Sequence, residues 1–83
     1  MKVTVKYFAS IREAIGVSSE SVATTAATLA ALRDELIALG GARAGSLARG
    51  RAVRMALNLV MCDESALLID GAEVAFFPPV TGG

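Results

Sequence analysis

One helical repeat of leucines constrains the fold of this chain more than any other feature. Leu29, Leu32, Leu36 and Leu39 recur at spacings of three and four residues, which places them on one face of a helix. Three threonines between residues 24 and 28 are candidate N-caps, and Gly40-Gly41 marks the end of the helix. A single helix cannot bury such a face by itself, so it must pack against a second layer formed by the rest of the chain.

Strands are predicted on both sides of this helix. Apolar and polar residues alternate at the start of the chain and again before the helix, which indicates a first strand and a polar edge strand beside it. After the helix, a long alternating segment predicts a third strand, and a short apolar run predicts a central last strand. The four predicted strands are Lys2 to Phe8, Val17 to Ala23, Val53 to Cys62 and Glu73 to Phe77.

Short segments connect these elements. Ser10 to Ile15 supports one or two helical turns that end at Gly16, and residues 42–52 are predicted to form a loop. Asp70-Gly71 is a turn signal, and Pro78-Pro79 end the last strand because proline cannot donate a hydrogen bond to a sheet. A chain of 83 residues has room for a single domain, predicted over residues 1–83. Its fold class is α+β, with a mixed sheet of four to five strands packed against one main helix.

Composition excludes several classes of function. The absence of histidine removes Ser-His and Cys-His nucleophiles and imidazole metal sites. Eight basic residues balance eight acidic ones, so neither nucleic acid nor a membrane surface is an expected partner. The chain opens with a strand pattern in place of a signal peptide, and it contains no apolar run long enough to span a bilayer. With Cys62 as its single cysteine, which allows no internal disulfide, the protein is expected to be cytoplasmic.

Two features carry weak functional signals. Arg43, Arg49, Arg51 and Arg54 follow one another with no acidic residue between them, which suits either a phosphate site or a solvated loop. The loop is favoured because no phosphate-cradling motif accompanies the arginines. Cys62 has no histidine to activate it, so a structural or exposed thiol is favoured over a nucleophile.

The C-terminus carries a stronger signal. Gly82-Gly83 follow an apolar strand and the rigid Pro78-Pro79 pair, so residues 80–83 are predicted to form a flexible tail at a fixed point on the surface. Four extended residues reach about 13 Å, far enough to enter a pocket on a partner. The tail presents the main-chain carboxylate, which is ionised at neutral pH and is a poor electrophile. Adenylation by a separate, ATP-using enzyme would activate it, whereas a frayed end without function is the alternative interpretation.

Three segments resemble one family. Asp70 to Gly83, with the sequence DGAEVAFFPPVTGG, resembles the C-terminal signature of the molybdopterin synthase small-subunit family, in the sulfur-carrier branch of the ubiquitin-like proteins. Lys6 to Gly16 (KYFASIREAIG) and Met55 to Asn58 (MALN) are similar to further segments of that family, whereas residues 17–53 agree only in pattern. Ala72 and Leu59 stand where the family commonly has an acidic and a polar residue. These departures concern the last turn and the nearby surface and leave the diglycine unchanged.

The resemblance implies a β-grasp fold and a sulfur-carrier role. Gly83 would be adenylated by an E1-like enzyme and converted to a thiocarboxylate by a sulfur donor, with Gly82 as its slender neighbour. The large subunit of molybdopterin synthase would then pass the sulfur to cyclic pyranopterin monophosphate, within a heterotetramer and with its own catalytic groups. The chain would be a non-catalytic carrier that holds no cofactor permanently, and the activating enzyme would use the ATP.

Alternation along the strands also predicts a partner surface. If the apolar side chains of the first and last strands face the helix, Phe8 and Phe77 point to the opposite side of the sheet. Together with Met61, these rings are expected to form an exposed apolar patch beside the tail. The predicted interface consists of this patch and the segment that leads to the diglycine: Phe8, Met61, Phe77, Pro78, Pro79, Val80 and Thr81.

Three other functions remain open on the sequence alone. A thiocarboxylate carrier for thiamin or cysteine synthesis would use the same tail, although carriers of the thiamin type resemble this chain mainly in the diglycine. A ubiquitin-like modifier would use the activated glycine to acylate a lysine of a target protein. A plain binding module would not need Gly83 at all.

Overall fold

Five strands and three helices make up the part of the chain that the structure describes, residues 1–79 of a computed structural model. The helix α1 ends at Gly16, whose φ of 92° is the left-handed conformation that a helix C-cap favours. The Thr28 side chain accepts a hydrogen bond of 3.2 Å from the Ala31 N–H and caps α2, as the sequence predicts. In chain order, the elements are β1 Lys2–Tyr7, α1 Ala9–Ile15, β2 Ser19–Ala23, α2 Leu29–Ala38, α3 Gly41–Leu47, β3 Arg54–Leu57, β4 Val60–Cys62 and β5 Glu73–Phe77.

The sheet is mixed, and β5 lies at its centre. The strand order is β2-β1-β5-β3-β4, which confirms β5 as a central strand and β2 as an edge strand. β5 pairs parallel with β1 and antiparallel with β3, and the two outer pairs are antiparallel. The last strand therefore leaves the middle of the sheet, with a hydrogen-bonded neighbour on each side.

The core lies between one face of the sheet and the helices. Tyr7 of β1 and Phe76 of β5 are both buried, and their rings stack with centroids 6.3 Å apart. From α2, Leu32 and Leu36 are buried against the sheet, as the leucine repeat predicts. Leu39 is 66% exposed because α2 ends at Ala38, so the last leucine of the repeat does not join the core.

The loop prediction for residues 42–52 is wrong, because α3 occupies Gly41–Leu47. This helix contacts both α1 and α2, yet it contributes a single buried apolar side chain, Leu47, to the core. One anchor gives no apolar periodicity, so the sequence pattern does not indicate a helix. The expected single main helix is accordingly joined by two shorter ones among the described residues.

The prediction of one long strand from Val53 to Cys62 is also wrong. The segment forms a hairpin in which β3 and β4 are joined at Asn58 and Leu59, with φ values of 49° and 70°. Positive φ at both central residues belongs to the tight turns that match the twist of a hairpin. Asn58 is fixed to β5, since its N–H donates to the Glu73 carbonyl at 2.8 Å and its Oδ1 accepts from the Glu73 N–H at 2.9 Å.

Candidate functional site

The candidate site is the end of β5 and the chain that leaves it. β5 is paired along both edges, so the direction of its backbone is set by the sheet. Pro78 and Pro79 follow directly and are half-buried. Their fixed φ angles restrict how the chain can turn as it leaves the sheet. The predicted tail residues Val80, Thr81, Gly82 and Gly83 lie outside the described residues, so the tail stays a prediction.

Two aromatic rings flank this exit on the open face, the sheet face opposite the buried side chains. Phe77 alternates with the buried Phe76, and Phe8 alternates with the buried Tyr7. The backbone of Phe8 is extended, and its N–H donates a hydrogen bond of 3.1 Å to the Phe76 carbonyl. Phe8 is 45% exposed and Phe77 is half-buried. The structure therefore places both rings on one face at the end of β5.

Met61 belongs to the same face, two strands away from β5. Strand pairing aligns Met61 with Ala56, and Ala56 with Ala75. The alanine side chains are short, and Met61 is 60% exposed beside them. We call the open-face residues Phe8, Phe77, Met61, Ala56 and Ala75 the apolar patch. The three predicted members share a face, and their role as an interface stays a prediction.

Charged side chains border the apolar patch. Arg54 is exposed and lies opposite Phe77 in the pairing of β3 with β5. On the β1 side, Lys6 Nζ lies 3.1 Å from Glu73 Oε1. An apolar centre with a charged border is the usual anatomy of a protein interface.

The arginines from 43 to 54 do not act as one group. Arg43 pairs with Glu20 of β2 at 2.8 Å, and Arg49 pairs with an aspartate of α2 at 2.9 Å. Arg51 lies in the segment before β3, and Arg54 lies within β3. Because two of the four bind carboxylates on different elements, the arrangement disfavours a shared phosphate site.

Cys62 is half-buried at the end of β4. Burial raises the pKa of its thiol, and the negative charge of Asp63 raises it further. A raised pKa lowers the thiolate fraction at neutral pH and makes the sulfur a poor nucleophile. The half-buried position and the raised pKa favour a structural or exposed thiol over a nucleophile, and the role of Cys62 stays a prediction.

A buried arginine that the sequence analysis missed fixes the segment after α3. Arg33 of α2 is 5% exposed, and its guanidinium donates to the carbonyl oxygens of Leu47 at 2.7 Å and Ala48 at 2.8 Å. The same group donates to Glu64 Oε1 at 2.6 Å. In the sequence, Arg33 looks like an exposed residue between two leucines of the repeat. Its partners lie 14 to 31 residues away in the chain, so no local pattern reveals them.

Residues 1–79 contain neither a grouped set of metal-binding side chains nor a membrane-spanning helix. No three of their cysteine and carboxylate side chains are grouped so that they could hold a metal ion. Over the same residues, no helix has the length and apolar character needed to cross a membrane.

The chain is similar to known proteins over nearly its full length. The model of the ThiS family matches residues 5–83. The molybdopterin synthase sulfur carrier subunit of Escherichia coli (strain K12) is 40% identical over 81 residues, which cover 98% of this chain and 99% of that protein. A putative molybdopterin converting factor, subunit 1, from Pyrococcus furiosus is 29% identical, with a TM-score of 0.76 over 96% of this chain and 99% of that one. A structure from Helicobacter pylori, a complex of subunits 1 and 2 of molybdopterin-converting factor, contains a chain that is 30% identical, with a TM-score of 0.68 and full coverage of both chains. These similarities confirm the β-grasp fold and show that the chain belongs to the ThiS family.

Proposed function

We propose that this chain is the sulfur carrier subunit of a molybdopterin synthase. The observation that carries the proposal is its 40% identity, over 98% of its length, to a protein of that name. The family match also runs through to Gly83, the residue on which the chemistry depends. The exit from the central strand supports the same role, because Pro78 and Pro79 restrict the backbone directly after β5.

The reactive group in this proposal is the carboxylate of Gly83. An E1-like enzyme binds ATP, the carboxylate attacks the α-phosphate, and pyrophosphate leaves. A sulfur donor then supplies sulfide (HS⁻), which attacks the acyl carbon; the bond from the acyl carbon to the AMP oxygen breaks, AMP leaves, and loss of the thiol proton gives a thiocarboxylate. Gly82 and Gly83 lack a Cβ and can pass through a narrow channel on a partner. We place these steps in the cytoplasm, and the carrier itself keeps no cofactor.

The partner in the second half of the proposal is the large subunit of the synthase. The Helicobacter pylori structure holds subunits 1 and 2 of a molybdopterin-converting factor in one complex, which supports a corresponding partner for this chain. We assign the contact to the apolar patch and to Pro78, Pro79, Val80 and Thr81. Docking there brings Gly83 into the large subunit, whose residues supply the catalysis that a chain without histidine lacks. Within a heterotetramer, two carriers in turn donate sulfur to cyclic pyranopterin monophosphate and complete the dithiolene.

Intact-mass analysis tests this function. Incubation with an E1-like enzyme, ATP and a sulfur donor should raise the mass by the difference between sulfur and oxygen, with the change confined to the C-terminal peptide. Cys62→Ser should gain the same mass, whereas a chain without Gly83 should not. Addition of the large subunit and cyclic pyranopterin monophosphate should then return the carrier to its original mass and yield molybdopterin. A gain at Cys62, or branched conjugates to lysine in place of a free thiocarboxylate, would contradict the proposal.

A further inference from the structure

The part of the chain around α3 is attached to the core by a single apolar side chain. We call residues 40–51 the α3 segment, and Leu47 is the one side chain within it that is buried. None of its other apolar residues packs against the core. By contrast, α2 buries Leu29, Leu32 and Leu36. Apolar burial therefore contributes little to holding the α3 segment on the fold.

The backbone of the α3 segment also favours opening. Gly40 and Gly41, at the start of the helix, have φ values of 76° and 61°, and no side chain caps this end. Gly45 lies inside the helix, where glycine is less favourable than alanine because it loses more conformational freedom on folding. A helix of seven residues is not stable by itself, so α3 depends on its contacts with the rest of the chain.

Two arginines of the α3 segment bind carboxylates on other elements. Arg43 donates to Glu20 of β2 from Nε at 2.9 Å and from Nη2 at 2.8 Å. Arg49 pairs with Asp34 of α2 at 2.9 Å and also with Glu64. The Arg49 side chain is 44% exposed, so water replaces its contacts when they break. Ion pairs that water reaches contribute little to stability.

Arg33 of α2 holds the second half of the α3 segment by its backbone. Its guanidinium donates to three carbonyl oxygens there, those of Leu47, Ala48 and Arg51. The charge of Arg33 is buried while the segment is closed, and burial of a charge costs free energy. Opening returns the guanidinium to water, so hydration offsets part of what these hydrogen bonds contribute.

We propose that the α3 segment opens as a unit while the sheet and α2 stay folded. Its single buried side chain, its glycines and its hydrated charge contacts keep the free energy of this opening below that of global unfolding. Ser46 and Arg51 line a cleft of about 340 Å³ beside Pro78, so opening removes part of its wall. The α3 segment is therefore a movable wall next to the point where the chain leaves β5. Such opening is a property of the chain itself and does not depend on a role in sulfur transfer.

Hydrogen exchange of the full chain, measured by nuclear magnetic resonance at urea concentrations below the unfolding transition, tests for separate opening. The amides of residues 45–47 are bonded within α3. We expect them to share one free energy of opening, lower than that of the β5 amides, with a weaker dependence on urea because the open segment exposes little surface. The same free energy and urea dependence in α3 and β5 would overturn the proposal. Unequal values with no urea dependence would also overturn it, since they indicate isolated fluctuations.

Two substitutions should shift the opening in opposite directions. Gly45→Ala should make it about 2- to 5-fold rarer, the effect of alanine in place of glycine inside a helix. A Cβ at this position meets no atom within 4 Å, so the alanine fits. Arg43→Met should make opening more frequent by about 5-fold or more, above the range for exposed pairs, because Arg43 and Glu20 are only 28% and 25% exposed. Arg12→Met is the matched control and should leave α3 unchanged, because Arg12 is an exposed arginine of α1 without an ion pair within residues 1–79.

A variant in the sheet separates local from global opening. Val74 is buried in β5, which keeps its pairing with β1 and β3 in the open form. Val74→Ala should therefore speed exchange of the β5 amides and leave that of the α3 amides unchanged. Equal acceleration of both would overturn the proposal, as would α3 amides that respond to neither Gly45→Ala nor Arg43→Met. If Val74→Ala does not fold, the urea dependence of the wild-type chain decides, and no outcome alters the mass change expected at Gly83.

Discussion

The Tyr7 hydroxyl donates a hydrogen bond of 2.6 Å to the Glu20 carboxylate, and this contact joins the buried end of β1 to the edge strand β2. Glu20 also accepts from Arg43 of α3, at 2.9 Å from Nε and 2.8 Å from Nη2. One carboxylate therefore links two strands and a helix. Glu20 lies opposite Val5 in the β1–β2 pairing, so its side chain emerges on the face that the helices cover.

Acid should weaken this link. The hydrogen bonds from Arg43 lower the pKa of Glu20 below its ordinary 4.5, the bond from Tyr7 lowers it further, and burial opposes both. A carboxyl whose folded-state pKa is depressed adds stability at pH values above the unfolded pKa, and this stability is lost as the pH falls through the folded pKa. At neutral pH, Glu20→Gln should reduce the free energy of unfolding by about 1.5 to 3 kcal/mol, the range for hydrogen bonds to charged groups.

Urea unfolding at neutral pH and at about pH 3 measures this difference. The wild-type chain should lose more stability than Glu20→Gln as the pH falls, so the two unfolding midpoints should approach each other. Glu13→Gln is the control, because Glu13 is an exposed carboxylate of α1 without an ion pair in the described part of the chain. A constant gap between wild type and Glu20→Gln at both pH values would contradict the assignment.

Removal of the Arg33 guanidinium should cost more than any surface change. Arg33→Met leaves Glu64 without its buried partner and leaves the carbonyl oxygens of Leu47 and Ala48 without a donor. Glu64 is 35% exposed and keeps its ion pair with Arg49, so the main cost is that of carbonyl oxygens left without a donor, about 1 to 3 kcal/mol. Arg33→Lys should fall between wild type and Arg33→Met, because an ammonium group lacks the planar set of donors that reaches several acceptors at once. Urea unfolding decides the order, and Arg12→Met should stay near wild type; equal stability of Arg33→Met and Arg12→Met would show that the buried network is dispensable.

Local patterns predicted the elements whose signals repeat along the chain. The leucine repeat indicated α2, alternation indicated β1 and β2, and a short apolar run indicated β5. α3 escaped prediction because a single leucine anchors it and its stabilising contact comes from Arg33 in another helix. Sequence patterns did not predict the β3–β4 hairpin, because apolar residues continue through its turn and Asn58 is the only polar residue between Met55 and Cys62.

In the candidate site, too, local sequence patterns predict one part and leave another part unpredicted. The open-face positions of Phe8 and Phe77 follow from strand alternation alone, which the sequence displays directly. The cleft of about 340 Å³ beside Pro78 is lined by residues of α1 and α3 together with Pro78, and no spacing along the chain encodes how these segments meet in space. Two arginines of residues 43–54 illustrate the point. Arg43 pairs with a carboxylate on β2, and Arg49 pairs with one on α2 and with Glu64, so all of these partners lie outside the segment.

The turn at Leu59 predicts a variant that is more stable than the wild type. Leu59 has a φ of 70° and is 86% exposed, so its side chain adds steric cost and little burial. Leu59→Gly should raise the free energy of unfolding by about 0.5 to 1 kcal/mol, since relief of the left-handed strain exceeds the extra entropy of glycine in the unfolded chain. Leu67→Gly is the matched control, because Leu67 is 70% exposed and is absent from the positive-φ positions. Thermal melts should show Leu59→Gly above and Leu67→Gly below the wild type; a lower midpoint for Leu59→Gly would contradict the strain argument.

The apolar patch predicts where the large subunit binds. Phe77 lies on the open face directly before Pro78, with Phe8 at the neighbouring end of β1. Truncation of a hot-spot residue in the centre of an interface costs about 2 kcal/mol or more, which corresponds to a loss of about 30-fold in affinity. Phe77→Ala should therefore weaken association of the thiocarboxylated carrier with the large subunit by at least about that factor.

Calorimetric titration of the carrier against the large subunit measures this affinity, with Leu39→Ala as the matched control. Leu39 is 66% exposed and follows α2, in the layer on the other side of the sheet from the open face. Phe77 is half-buried, so urea unfolding must first show that the variant is folded, and the activating enzyme should still adenylate it. A folded Phe77→Ala with unchanged affinity would place the interface elsewhere on the chain. Equal losses for Phe77→Ala and Leu39→Ala would show that the titration reports general surface hydrophobicity and not a contact centred on the open face.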